Sequence, residues 1–215
     1  MRLSDRGVGA NGAIAAVEGV ADVVSPEEDL RARHYQLLAR FLAAPPDAEL
    51  LHLSAGFEGD DTPLGQALAE LARQSAGATP EAAAKEYFEL FIGLGRGELV
   101  PYGSYYLTGF LNEKPLAKLR LDMSRLGIAR TDGVKEPEDH IAAICEMMAG
   151  LITGAFGTPL DLRDQQAFFD AHLAPWGERF FEDLESAKTA ALYRPVGTLG
   201  RRFLEIETVA FEMAA

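Results

Sequence analysis

At four places in this chain a hydroxyl residue stands directly before proline: Ser25-Pro26, Thr62-Pro63, Thr79-Pro80 and Thr158-Pro159. A hydroxyl oxygen accepts a hydrogen bond from one of the unpaired N–H groups of a helix's first turn. Proline at the first helical position sacrifices nothing, because the N–H it lacks would have gone unpaired there. The pattern therefore commits the residues after each proline to helix. At Ser25 it is complete, since Glu28 stands where a capping box places its carboxylate.

Apolar residues then recur at helical spacing. Leu30, His34, Leu37, Leu38, Phe41 and Leu42 form one stripe, stopped by Pro45-Pro46. Leu64, Ala67, Leu68 and Leu71 form a second, and Ala84, Tyr87, Phe88 and Phe91 a third. Leu116, Leu119, Met123 and Leu126 form a fourth, ending at Gly127. Further helical segments are expected from Pro137 to Thr153, Pro159 to Ala171, Pro175 to Lys188 and Val196 to Met213. No segment alternates convincingly as a strand, and no repeat of solenoid length is present. The expected fold class is all-α: a single globular domain of about ten helices over residues 25–215. Residues 1–24, rich in Gly, Ala and Val without periodicity, are expected to be a flexible leader.

Charge and cysteine content exclude several function classes. The 33 acidic and 20 basic residues give a formal charge of −13, which repels nucleic acid and anionic membranes and favours basic partners. Cys145 is the sole cysteine, so neither an internal disulfide nor a thiolate cluster can form within one chain. Gly7, Gly9, Asn11, Gly12 and Glu18 interrupt the N-terminal residues, so these do not form a signal peptide. No stretch approaches the roughly 20 apolar residues of a membrane span. The expectation is a cytoplasmic protein without membrane insertion.

The glycine-punctuated loop at Gly93, Gly95 and Gly97 lacks the flanking strand of a dinucleotide site and the Gly-Lys-Ser/Thr ending of a P-loop. Ser104 has no nucleophile elbow around it, and Cys145 sits within an apolar stripe as a small core residue. The polar linker 127–136, containing Asp132-Gly133, is where a hinge is expected.

Glu136-Pro137-Glu138-Asp139-His140 opens the apolar run Ile141, Ile144, Cys145, Met148, Leu151 and Ile152. Acids are favoured at a helix start by its open N–H groups and positive dipole end. The cluster admits four readings: a helix cap, a metal site, an acid/base pair, or a dock for a cation. Glu136 and His140, four apart, share a helical face but have no second histidine cluster to complete a metal set. The rival to a docking function is a small metal-dependent or acid/base enzyme using Glu136, Asp139 and His140.

Five blocks then occur in order: Glu86-Tyr87-Phe88-Glu89-Leu90-Phe91-Ile92-Gly93, Val100-Pro101-Tyr102-Gly103-Ser104-Tyr105-Tyr106-Leu107, residues 136–140, His172-Leu173-Ala174-Pro175-Trp176, and Leu192-Tyr193-Arg194-Pro195. Together they resemble the TorD/DmsD family of redox-enzyme maturation proteins, related to the NarJ type, from Pro26 to Met213. The resemblance implies an all-helical cytoplasmic chaperone with no catalysis and no cofactor of its own. Its partner would be the precursor of a molybdenum-containing oxidoreductase carrying a twin-arginine signal peptide, held back from export until the cofactor is inserted. It also implies a monomer or helix-swapped dimer, and guanine-nucleotide binding to which no residues are assigned. By motif, the signal-peptide surface would comprise Tyr87, Leu90, Phe91, Tyr102, Asp139 and His140. A peptide of two guanidinium groups followed by an apolar segment calls for carboxylates beside an aromatic groove. Glu136, Glu138 and Asp139 are expected to face the arginines, with Glu138 mainly serving the helix start. Asp139 and His140 are expected to turn toward the peptide, with His140 adding a contact that weakens below about pH 6.

Overall fold

The computed structural model describes residues 24–130 and 136–214, so the leader expected over 1–24 and the core of the hinge expected at 127–136 lie almost wholly outside the described residues. Ten α-helices and one π-helical turn are described, with no strand among the described residues. In chain order the helices are α1 (Pro26–Ala43), α2 (Ala48–Ala55), α3 (Pro63–Gly77), α4 (Pro80–Tyr87), α5 (Gly103–Thr108), α6 (Lys114–Arg125), α7 (Ile141–Thr153), α8 (Leu162–His172), α9 (Gly177–Ser186) and α10 (Tyr193–Ala214). The π turn, Phe88–Ile92, continues α4.

Three of the four hydroxyl-proline pairs open helices as expected. Ser25 and Glu28 form the reciprocal capping box of α1, while Thr62 and Thr79 accept from the third N–H of α3 and α4. Thr158-Pro159 does not open a helix: α8 starts at Leu162, where the Asp161 carboxylate accepts from Asp164 N. The helix expected from Pro137 begins only at Ile141, because His140 is its N-cap and residues 137–139 form a turn. α9 likewise starts at Gly177, after Pro175. Two short helices, α2 and α5, fall in stretches too brief for periodicity to register.

α7 runs through the middle of the molecule. Ten of its 13 residues are buried, among them Ile141, Ile144, Cys145, Met148 and Ile152, so it is apolar almost all round. α1 packs along it and buries Tyr35, Leu38, Phe41 and Leu42, with Tyr35 and Phe41 also meeting Phe203 and Tyr193 of α10. α9 and α10 form the second tight pair, with the Phe181 ring against Gly200 and Leu204 against Gly177. Burial pushes the Cys145 thiol pKa well up, as expected of a core cysteine rather than a nucleophile.

A buried ion pair fixes α1, α8 and α10 relative to one another. Glu207 accepts from Arg31 Nε at 2.7 Å, Arg31 Nη2 at 2.8 Å and Tyr35 Oη at 2.9 Å. Arg31 Nη1 also donates to Gln165 Oε1 at 2.9 Å. Glu86 bridges the loop before α10, its carboxylate accepting from the backbone N–H groups of Ala191, Leu192 and Tyr193. That contact ties the first motif block to the last at a helix start, where an anion is favoured.

The α9–α10 approach needs Gly197, since a Cβ there would lie 2.5 Å from Glu185 N and 2.9 Å from Phe181 O. Both obstacles are backbone, so α9 itself would have to shift. Gly197→Ala is expected to lower stability by about 2 kcal/mol in thermal denaturation. An unchanged melting temperature would refute this close packing.

Candidate functional site

The 136–140 turn is organised by a short backbone pairing. Tyr102 and His140 form an isolated antiparallel bridge, with Gly103 N donating to Asp139 O and Ile141 N donating to Pro101 O, both at 2.9 Å. Each of these donors is the first residue of a helix, where an N–H would otherwise lack a partner. Asp139 then caps a helix other than the one it precedes: its Oδ2 accepts from Ser104 N of α5 at 2.7 Å. Glycine at 103 lets the indole of Trp176 pack against this turn, because a Cβ would stand 3.0 Å from Nε1. Trp176 is itself held by Nε1 donating to His172 O at 2.7 Å. Three of the sequence blocks thus converge on one junction.

This geometry revises the roles expected for the turn. Asp139 is 2% exposed and faces α5, not the arginine side. Glu138 does not serve the helix start; it pairs with Arg120, Nε at 2.9 Å, and with Arg130 at 3.5 Å. Burial works to raise the Glu138 pKa, but the Arg120 hydrogen bond and the two guanidinium charges hold it below the usual carboxylate value. His140 takes the cap position, Nδ1 accepting from Ala142 N at 3.2 Å, which leaves any proton on Nε2. Burial lowers its pKa to about 4, so the expected change in charge near pH 6 does not arise from this ring.

Beside the junction lies a cavity of about 460 Å³. One wall is the π turn with the end of α4, contributing Tyr87, Phe91 and Ile92. A second is α7, presenting Ala142, Ala143, Glu146 and Met147. Tyr102, Glu136, Pro137, Glu138 and His140 close a third side, with Arg130 at the edge. Phe91 packs edge-on against Tyr87 and Tyr193, at centroid distances of 5.0 and 5.5 Å. The Tyr87 hydroxyl donates to Leu42 O, which turns the ring's polar end into the core and leaves an apolar face for the cavity. Tyr102 stands edge-on to His140 and donates its hydroxyl to Glu136 Oε1.

The π turn explains the glycine loop. Gly93, at φ 61°, donates from its N–H to Phe88 O and reverses the chain, so that Leu99 N reaches Leu90 O at 2.8 Å. A Cβ on Gly93 would meet Arg96 O at 2.1 Å. Gly93 and Gly97 let this loop close against the π turn, since a Cβ on Gly97 would meet Leu90 O at 2.5 Å.

Of the eight site residues expected from sequence, Tyr87, Phe91, Tyr102, Glu136, Glu138 and His140 line this cavity. Leu90 is fully buried, and Asp139 faces the α5 start. Glu146, Met147, Ile92, Met123 and Phe156 line it without having been expected. The signal for Glu146 lay in the sequence, since it is the only charged residue in Ile141–Thr153. Among the described residues, no three His, Cys, Asp or Glu side chains converge to hold a metal ion.

The sequence profile described as nitrate reductase delta subunit matches residues 57–182, more than half of the chain. The chain belongs to this family. Within the TorD branch, the chaperone protein TorD of Vibrio atlanticus (strain LGP32) is 28% identical over 131 residues, covering 57% of this chain and 61% of that protein. Chaperone protein TorD of Vibrio cholerae serotype O1 (strain ATCC 39541 / Classical Ogawa 395 / O395) is 30% identical over 129 residues, covering 57% and 59%. The chain thus spans about three-fifths of the length of the curated relatives it matches. The crystal structure of a protein from Archaeoglobus fulgidus, described as a candidate redox enzyme maturation protein, shares the fold. Its TM-score is 0.55 at 22% identity, covering 82% of this chain and 94% of that one. The resemblance to the TorD/DmsD family read from five motif blocks therefore holds, as does the all-α fold class.

Proposed function

We propose that this protein is a maturation chaperone for a molybdenum-containing oxidoreductase, and that its cavity binds the twin-arginine signal peptide of the precursor. One observation carries the reading: the aromatic wall of Tyr87, Phe91 and Tyr102 and the carboxylates of Glu136 and Glu146 border the same cavity. An apolar segment preceded by arginines presents the complementary surface. Family membership and the TorD relatives support the chaperone class. The cytoplasm, where the precursor is made, is the corresponding place of action. No helix among the described residues is long and apolar enough to cross a membrane.

The acid/base reading finds no support in the geometry. Glu136 accepts the Tyr102 hydroxyl, Asp139 faces Ser104 N, and His140 Nδ1 faces Ala142 N, so the groups are directed at three separate partners. General acid/base chemistry needs them directed at one reacting atom.

Calorimetry with a synthetic twin-arginine signal peptide tests the proposal. Wild type is expected to bind, and Phe91→Ala to bind about tenfold more weakly through loss of an aromatic contact. Asp139→Asn is expected to act through the α5 start instead, changing stability more than affinity. Absence of binding by wild type would end the signal-peptide reading.

A further inference from the structure

Sequence alone assigned the contact with arginine to Glu136, Glu138 and Asp139. Two of those carboxylates have other partners: Glu138 is held by Arg120 and Arg130, and Asp139 is buried against α5. Glu136 remains at the cavity edge, accepting the Tyr102 hydroxyl. A peptide with two guanidinium groups needs a second acceptor.

α7 supplies one. Its sequence, Ile141–Thr153, is apolar at every position but two, and Glu146 is its only charge. Helical spacing places Ala142, Ala143, Glu146 and Met147 on one face, and all four line the cavity. The two alanines leave a shallow floor next to the carboxylate, so a bulky planar group has room to lie beside it. Among the described residues Glu146 makes no hydrogen bond and no ion pair, and its pKa is raised by burial alone. The carboxylate is exposed at the cavity, so an incoming guanidinium can reach it without first displacing a protein partner. Arg130, at the same edge, is directed at Glu138 and at the Glu136 carbonyl.

We propose that Glu146, together with Glu136, forms the guanidinium-contacting pair of the cavity, and that Asp139 is a positioning residue that holds the Tyr102 wall. This rests on the reading that the cavity takes a twin-arginine segment. Glu146 then decides specificity for arginine over lysine, because a forked guanidinium engages a carboxylate through two parallel hydrogen bonds where an ammonium offers a point charge.

The test is calorimetry of the full chain against three synthetic signal peptides, carrying Arg-Arg, Lys-Lys or Gln-Gln at the twin position. Glu146→Gln is compared with Glu58→Gln, which removes the same charge from an exposed residue outside the cavity. Glu146→Gln is expected to weaken Arg-Arg binding by about tenfold and to leave Gln-Gln binding unchanged. Its preference for Arg-Arg over Lys-Lys should fall, while Glu58→Gln stays within about twofold of wild type throughout. An equal response of the two variants to the Arg-Arg peptide would overturn this assignment and leave the signal-peptide reading standing. Failure of wild type to bind the Arg-Arg peptide would overturn both. A loss for Glu146→Gln that is as large with Gln-Gln as with Arg-Arg would show a damaged cavity wall, and would also overturn the assignment.

Discussion

Replacing Glu207 by alanine is expected to remove about 3 kcal/mol of folding stability, the lower end of what breaking a buried ion pair usually costs. The reason lies in what would be left behind. Arg31 would keep one hydrogen bond to Gln165 but lose two to the carboxylate, and Tyr35 Oη would lose its acceptor. Tyr35 is fully buried, so water cannot replace that acceptor, whereas Arg31, at 17% side-chain exposure, retains some access to solvent. That access places the expected loss at the lower end of the range. Urea denaturation of Glu207→Ala measures it directly. The pair Arg31→Met with Glu207→Leu should recover the part of the loss that comes from the stranded guanidinium, while the Tyr35 hydroxyl, without its acceptor in either variant, keeps the remainder. A loss below about 1 kcal/mol for the single variant would show that the network contributes little.

The second large effect is a dependence of stability on pH that originates at His140. The native ring titrates at about 4 and the unfolded one at 6.5. Between those values the unfolded chain binds a proton that the native chain excludes, so stability falls as pH drops through this window and levels off below it. The difference corresponds to roughly 3 kcal/mol at the acid end. His140→Asn should retain the cap, because an asparagine side chain also accepts from a first-turn N–H. It should differ little from wild type at pH 7.5 and be the more stable at pH 4.5 in urea titrations. Some slope should persist in the variant. Burial also lowers the His172 pKa, an effect partly opposed by its hydrogen bond to Asp122 at 3.0 Å. Glu138 and Glu185, both held below the usual carboxylate value, lose their contributions at still lower pH. Parallel slopes for variant and wild type would show that His140 is not the source.

The helices were legible wherever local chemistry decided them. Ser25 with Glu28, Thr62 and Thr79 mark true starts, because cap and proline act within one turn. Thr158-Pro159 misleads for an instructive reason: Asp161 caps equally well three residues later, and Leu160 N bonds to Leu151 O in the intervening turn. The aromatic half of the candidate site was readable, since Tyr87, Phe91 and Tyr102 belong to distinctive blocks. Its electrostatics were not. The partners of Glu138 and Asp139 lie 18 and 35 residues away in sequence, and no local spacing rule reaches that far. Glu146 could have been found as the single charge in an otherwise apolar helix.

The packing of α1 along α7 also bears on how the chain comes off the ribosome. The partner of the first helix is not synthesised until about a hundred residues later, roughly 5–20 s at ordinary elongation rates. α9 and α10, which pair with each other, follow α7 in the chain. Tyr35, Phe41 and Leu42 therefore wait in the nascent chain with their apolar face uncovered. The yield of folding should therefore depend on elongation rate, and on holdases that cover this face, more than that of proteins whose helices pair with their immediate neighbours.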